Sequence, residues 1–171
     1  MTPAFRRAFE FTTSPAIEGG FSNHRDDRGG PTMNGYTQKL YDAWRVTHGL
    51  PRRDVRLIED EEKELIAYDE FWVPANCEAL PEPLSIALFD MAFNSGVWNA
   101  KITLQEALRV RQDGVVGEKT IKAAKQPDAL LHFLMKRGAF IQQIILNDRS
   151  QAIFLEGWIC RLLLLQAWRP A

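Results

Sequence analysis

Through most of the chain, apolar side chains return every three or four residues, the spacing that gathers them on one face of a helix. Thr2 and Pro3 read as the N-cap and first residue of an opening helix carrying Phe5, Ala8 and Phe9, which ends near Pro15 or Glu18. The pattern resumes behind Thr37 as N-cap, with Leu40, Tyr41, Trp44 and Val46, and stops at Gly49 and Pro51. A helix over about Asp60 to Trp72 follows, with Leu65, Ile66, Tyr68, Phe71 and Trp72 on one face. Its acidic start, Glu59 to Glu64, suits the positive end of the helix dipole better than a metal ion. Beyond a connector marked by Pro74, Pro81 and Pro83, the spacing predicts helices over Leu84 to Asn94 and Ile102 to Val110. A turn over Asp113 to Gly117 leads to a short helix, Thr120 to Ala124. Pro127 then opens a long helix to about Asn147, and Ser150 caps the last one.

Between Gly19 and Gly35 the periodicity lapses. Gly19, Gly20, Gly29, Gly30, Pro31, Asn34 and Gly35 supply turn residues with polar groups between them, which predicts an ordered loop or small hairpin. No other stretch alternates as a strand would, so the fold class is all-α with at most a small β-hairpin after the first helix. The connector divides the chain into segments 1–83 and 84–171, expected to pack into one body of ordinary domain size.

With 46% hydrophobic and 25% charged residues the chain is globular in composition. A net charge of −1 argues against nucleic acid as a partner, because such domains carry a basic excess. The most apolar stretch, Ile153 to Trp168, is interrupted by Glu156 and Arg161 and is shorter than the roughly 20 residues that cross a bilayer. It reads as a buried helix, with no stable membrane insertion. Met1 to Phe11 lacks the apolar run of a classical signal peptide, so an extracytoplasmic target requires another route, such as release through a holin-like pore. Cys77 and Cys160 read as buried free thiols, although one bridge remains open. His24, His48 and His132 are too scattered for a zinc site, and no local signature supports a cysteine peptidase built on Cys77. No metal and no cofactor are implied.

Chemistry concentrates in Ile17-Glu18-Gly19-Gly20-Phe21 and the loop that follows. A carboxylic acid at the end of an apolar helix can have its pKa raised by burial, and two glycines leave room for a ligand. Glycoside cleavage needs such a proton donor together with a second group for the developing positive charge or the attacking water. Asp27 lies nine residues on and Thr32 five further, where a carboxylate and a water-holding hydroxyl suit an inverting mechanism. The bland alternatives are a helix C-cap for Glu-Gly-Gly and turn formation for Asp26 and Asp27.

The run Glu18-Gly19-Gly20-Phe21 through Asp27-Arg28-Gly29-Gly30-Pro31-Thr32 and Asn34-Gly35-Tyr36-Thr37 resembles the signature of glycoside hydrolase family 108, bacterial and phage N-acetylmuramidases of lysozyme-like fold. Tyr68-Asp69-Glu70-Phe71-Trp72, Cys77-Glu78-Ala79-Leu80-Pro81 and Phe89-Asp90-Met91-Ala92-Phe93-Asn94-Ser95-Gly96 are similar to its central landmarks. Leu104-Gln105 with Asp113-Gly114-Val115-Val116-Gly117-Glu118-Lys119-Thr120 resembles its peptidoglycan-binding segment, and Phe154-Leu155-Glu156-Gly157-Trp158 with Arg161 its C-terminal helix. The resemblance implies that Glu18 is the catalytic glutamate. The Glu, Asp, Thr order is also similar to the catalytic trio of phage lysozymes, which makes Asp27 and Thr32 its helpers. The chain departs from the pattern at His24 and between Thr32 and Thr37, which leaves the choice between these two threonines open.

Four further positions complete the candidate site. Asn94 and Ser95 either bind sugar acetamides or form a helix end with Gly96. Tyr36 and Trp98 either stack on sugar faces or fill the core. The expected substrate is the peptidoglycan glycan strand, cleaved by a monomer at the β-1,4 bond between N-acetylmuramic acid and N-acetylglucosamine. The alternatives are a lytic transglycosylase and a non-catalytic wall-binding module that assists export, with the Asp113 to Thr120 turn as a wall contact or a plain helix connection.

Overall fold

The computed structural model describes residues 1–14, 21–22 and 30–168. Eight α-helices and one small sheet are found among them. Helix α1 spans Pro3–Thr12, and the Thr2 hydroxyl accepts from the Phe5 N–H as an N-cap should. The helix ends at Thr13, earlier than its apolar pattern suggests, because the Thr13 hydroxyl donates 2.7 Å to the Phe9 carbonyl and closes the last turn.

Strands β1 (Phe21–Ser22), β2 (Thr32–Met33) and β3 (Tyr36–Thr37) form an antiparallel sheet in that order, with Phe21 opposite Met33 and Thr32 opposite Thr37. Asn34 and Gly35 both have positive φ, 48° and 84°, which is the two-residue turn that an Asn-Gly pair favours. The sheet thus has one strand more than a simple hairpin. Helix α2, Gln38–Thr47, starts on the predicted Thr37 cap, whose hydroxyl accepts from the Leu40 N–H.

Helix α3, Asp60–Ala67, begins with a capping box in which Glu59 and Glu62 serve each other's backbone, so the acidic run is a helix start. It runs on into a π-turn over Tyr68–Trp72. Helix α4, Leu84–Ser95, is buried from Leu84 through Phe93 and forms the axis of the molecule. Gly96, at φ 85°, ends it and at once starts α5, Val97–Ala107. The helix predicted over Ile102 to Val110 therefore begins five residues early and includes Trp98. Two further helices, α6 (Glu118–Ala123) and α7 (Ala129–Asn147), follow their predicted ranges closely.

Two apolar clusters fill the interior. One surrounds α4 with residues of α1, α5, α7 and the π-turn, and Phe5 meets Tyr68, Trp72 and Phe89 edge-on. The other lies under the sheet, where Tyr36, Tyr41, Trp44, Val55 and Ile66 pack together with Phe93. Phe71 touches both, and its ring centre is 5.1 Å from that of Phe93, so the end of α4 joins the clusters. Arg45, Arg53 and Glu62 brace the second cluster at its edge by ion pairs and by hydrogen bonds to the Tyr41 hydroxyl.

Three expectations are corrected at the C-terminal end. Asp148, not Ser150, is the cap, and it caps the helical turn Arg149–Phe154 that leads into the last helix, accepting from both the N–H and the hydroxyl of Ser150. Helix α8, Leu155–Ala167, is not buried: only Arg161 and Leu165 are, while Ile159, Leu163 and Leu164 are exposed. Glu156, Arg161 and Gln166 apart, it is largely apolar, but it packs mainly against α7 and the preceding turn, so one stripe is covered and the rest faces outward. Cys160, expected to be buried, shares that outer face and is exposed, whereas Cys77 is buried; both are free thiols.

Candidate active site

The sheet and the C-terminal end of α4 meet through Tyr36 and Phe93, whose rings pack edge-on at 5.2 Å. Tyr36 is fully buried, and its hydroxyl donates 2.8 Å to the Lys63 carbonyl. It cannot offer a face to a sugar; it anchors the sheet. This corrects its reading as a platform, and the reason lies in alternation: one residue along a strand, Thr37 points the other way.

Thr32 and Thr37, the two candidates for holding water, stand opposite each other across β2 and β3. The Thr37 hydroxyl is occupied as the α2 cap at 3.2 Å from the Leu40 nitrogen. The half-buried Thr32 hydroxyl donates 2.8 Å to the Gly30 carbonyl, which leaves its oxygen lone pairs to accept a further donor. Glu18, Asp27 and His24 lie outside the described residues.

Directly before that segment, the end of α1 is fixed by a group that spacing did not single out as functional. Asp90 is fully buried on α4, and its Oδ1 accepts from the Thr12 hydroxyl at 3.1 Å and from Arg161 Nη1 at 3.0 Å. Arg137 Nη1 stands 2.6 Å from Oδ2 as an ion pair without hydrogen-bond alignment. One buried carboxylate thus ties together α1, α4, α7 and α8. The signal was present in the sequence as single charges inside apolar helices, Asp90 in Leu88 to Phe93 and Arg137 and Arg161 further on.

Asn94 and Ser95 emerge at the end of α4 and line an open cleft of about 330 Å³ between α5, α7 and the turn before α8. The Asn94 amide nitrogen donates 2.7 Å to the Asp90 carbonyl. Both residues therefore end a helix and line a concavity, and the two readings of that motif do not exclude each other. Trp98 is 61% exposed, so it is no core residue. One side of its ring is pressed against Gly114, where a Cβ would fall 2.3 Å from the ring. Gly114 has φ 70° and sits in a turn held by Gln105, whose side chain accepts from the Gly114 N–H and donates to Asp113. Those contacts, the Gln105 hydrogen bond foremost, hold the Asp113 carboxyl below its ordinary range. Among the described residues, no three His, Cys, Asp or Glu side chains gather as metal ligands.

The family model described as Glycosyl hydrolase 108 matches residues 12–96, and the one described as Predicted Peptidoglycan domain matches residues 99–163. The chain belongs to glycoside hydrolase family 108. The two matches meet at Gly96, where α4 passes into α5, and the cleft beside Asn94 takes its walls from both. A solved structure described as that of Brucella abortus SagA is similar, with a TM-score of 0.80 and 27% identity over 95% of this chain and 91% of that one. Comparison with curated proteins finds no match. As a member of family 108 the protein is a glycoside hydrolase acting on peptidoglycan, with the lysozyme-like helical fold expected from its sequence.

Proposed function

We propose that this enzyme is an N-acetylmuramidase that cleaves the β-1,4 bond between N-acetylmuramic acid and N-acetylglucosamine, with Glu18 as general acid. The observation that carries this reading is the family 108 match over residues 12–96, which contains the Glu18-Gly19-Gly20 motif and Asp27. In the reaction, the Glu18 carboxylic acid gives its proton to the bridging oxygen as the bond to the muramic-acid C1 breaks. Asp27 stabilises the positive charge or takes a proton from the attacking water. Thr32, with acceptor capacity left after its bond to Gly30, holds that water. An attack from the face opposite the leaving group suits an inverting displacement.

Asn94 and Ser95 bind the strand beside the scissile bond, and Trp98 receives it on its open side. No helix among the described residues is long and apolar enough to cross a membrane. For delivery to the wall we propose release through a holin-like pore or another non-classical route. In zymography on purified sacculi, the wild type is expected to clear the gel. Glu18→Gln should lower the rate by about 10³-fold while the circular dichroism spectrum is kept. A clearing band of equal strength from a folded Glu18→Gln protein overturns the assignment.

A further inference from the structure

The cleft beside Asn94 does not stop at the end of α4. A second open cleft of about 280 Å³ follows it between α5 and α7, and the two share Asn99 and Phe140 as a common wall. Together they make one groove from the Asn94 end to the Lys136–Glu106 ion pair, whose nitrogen and oxygen are 2.6 Å apart and both partly exposed. We propose that the Asn99, Asn147 and Lys136 part of this groove, beyond the Asn94, Ser95 and Trp98 contacts given to the glycan strand, binds the peptide stem of peptidoglycan and makes the enzyme select glycan strands that carry stems. The inference rests on the muramidase reading for its setting and goes beyond it by naming what the α5–α7 groove recognises.

The polar groups in the groove are oriented by the helices themselves. The side-chain amides of Asn94 and Asn99 each spend one N–H on a carbonyl one helical turn back, that of Asp90 at 2.7 Å and that of Ser95 at 2.8 Å, which fixes their orientation and leaves the second N–H free to donate. Their Oδ1 atoms remain as acceptors for a ligand N–H. Asn147 is set the other way, because its Oδ1 accepts from Gln143 at 2.8 Å and its NH₂ remains as a donor. Oriented amides that can both accept and donate, beside the apolar walls of Phe140 and Ile144, suit secondary amides flanked by small apolar side chains.

Acetamido sugars and peptides both offer secondary amides, but the far end separates them. A sugar chain offers no cation to an ion pair of both signs, its one charge being the lactyl carboxylate bared when a stem is removed, whereas a stem built of alanine, a glutamate and a diamino acid carries carboxylates and an ammonium group. Those charges can pair with Lys136 and Glu106 respectively, as a mixed-charge rim does for a zwitterionic ligand.

The test titrates a free stem tetrapeptide into the full-length wild type and follows the side-chain amides of Asn99 and Asn147 by NMR. A peptide-free disaccharide serves as the second probe. Saturable shifts with the peptide and none at those amides with the disaccharide are expected. The double substitution Asn99→Ala, Lys136→Glu should weaken peptide binding at least fivefold. The ratio of kcat/KM on stem-bearing over amidase-stripped strands should fall in the same variant. No saturable shift with the peptide, or equal shifts with both probes, overturns the proposal even if the double variant does not fold. Peptide binding by a protein that cleaves neither strand refutes the muramidase reading and leaves the groove assignment standing.

Discussion

Asp90 is the residue on which the most elements depend. Two guanidiniums and a threonine hydroxyl converge on a carboxylate with no solvent exposure. Removing one partner of a buried charge group costs about 3–5 kcal/mol, since the remaining charges stay desolvated without compensation. Asp90→Asn is therefore expected to lower Tm by roughly 10 °C or more. A Tm within about 2 °C of the wild type, measured calorimetrically, contradicts this account of the cluster. The two cysteines differ just as sharply. Burial, with Glu78 nearby, pushes the Cys77 thiol well above its ordinary range, while Cys160 is exposed. A maleimide should label one thiol of the native protein and the second only after unfolding; two native labels or none contradict the burial described. Sequence spacing could not separate the two, because both sit among apolar neighbours and α8 turns out to leave most of its apolar surface uncovered.

At the scale of elements, caps and turn residues carried most of the legible information. Thr2, Thr37 and the Glu59–Glu62 pair start the helices they predict, and Asn34-Gly35 makes the predicted turn. Side-chain direction was less legible. Tyr36 and Trp98 looked alike as aromatics near polar residues, yet one is a sheet anchor and the other a surface ring seated on Gly114. Gly114→Ala should cost about 1–3 kcal/mol, from the left-handed backbone and the displaced indole. It should also change the tryptophan emission of the native state, and an unchanged spectrum with unchanged stability contradicts the contact. The network around α3 gives a pH test. Burial works to raise the Glu62 carboxyl, but the Tyr41 hydroxyl, the Glu59 N–H and the charges of Arg53 and Arg45 together hold it below the ordinary 4.5. A depressed carboxylate stabilises the fold fully above its unfolded pKa and loses that contribution as pH falls through the folded value. The stability gap between wild type and Glu62→Gln should thus be constant from pH 7 to about 5 and shrink below it. A gap that widens on acidification reverses the assigned sign.

Across the whole molecule, the all-α architecture was legible because apolar residues recur at helical spacing and Gly, Pro and the Thr2 and Thr37 caps mark where helices start and stop. The family was legible because its motifs run through nearly the whole chain. What the sequence did not reveal is how the hydrolase and peptidoglycan segments are joined. That requires knowing that α4 runs on into α5 through Gly96, and that Asp90 on one segment holds Arg137 and Arg161 on the other. The catalytic assignment rests on the Glu18 motif and its family, and the product end groups report on it directly. Wild type and Glu18→Gln should be incubated with purified sacculi, and the released muropeptides analysed by mass spectrometry with and without borohydride reduction. The wild type should release fragments ending in reducible N-acetylmuramic acid, and Glu18→Gln should release almost none. Anhydro-muramic ends, or equal release by the two proteins, would contradict a Glu18-dependent muramidase.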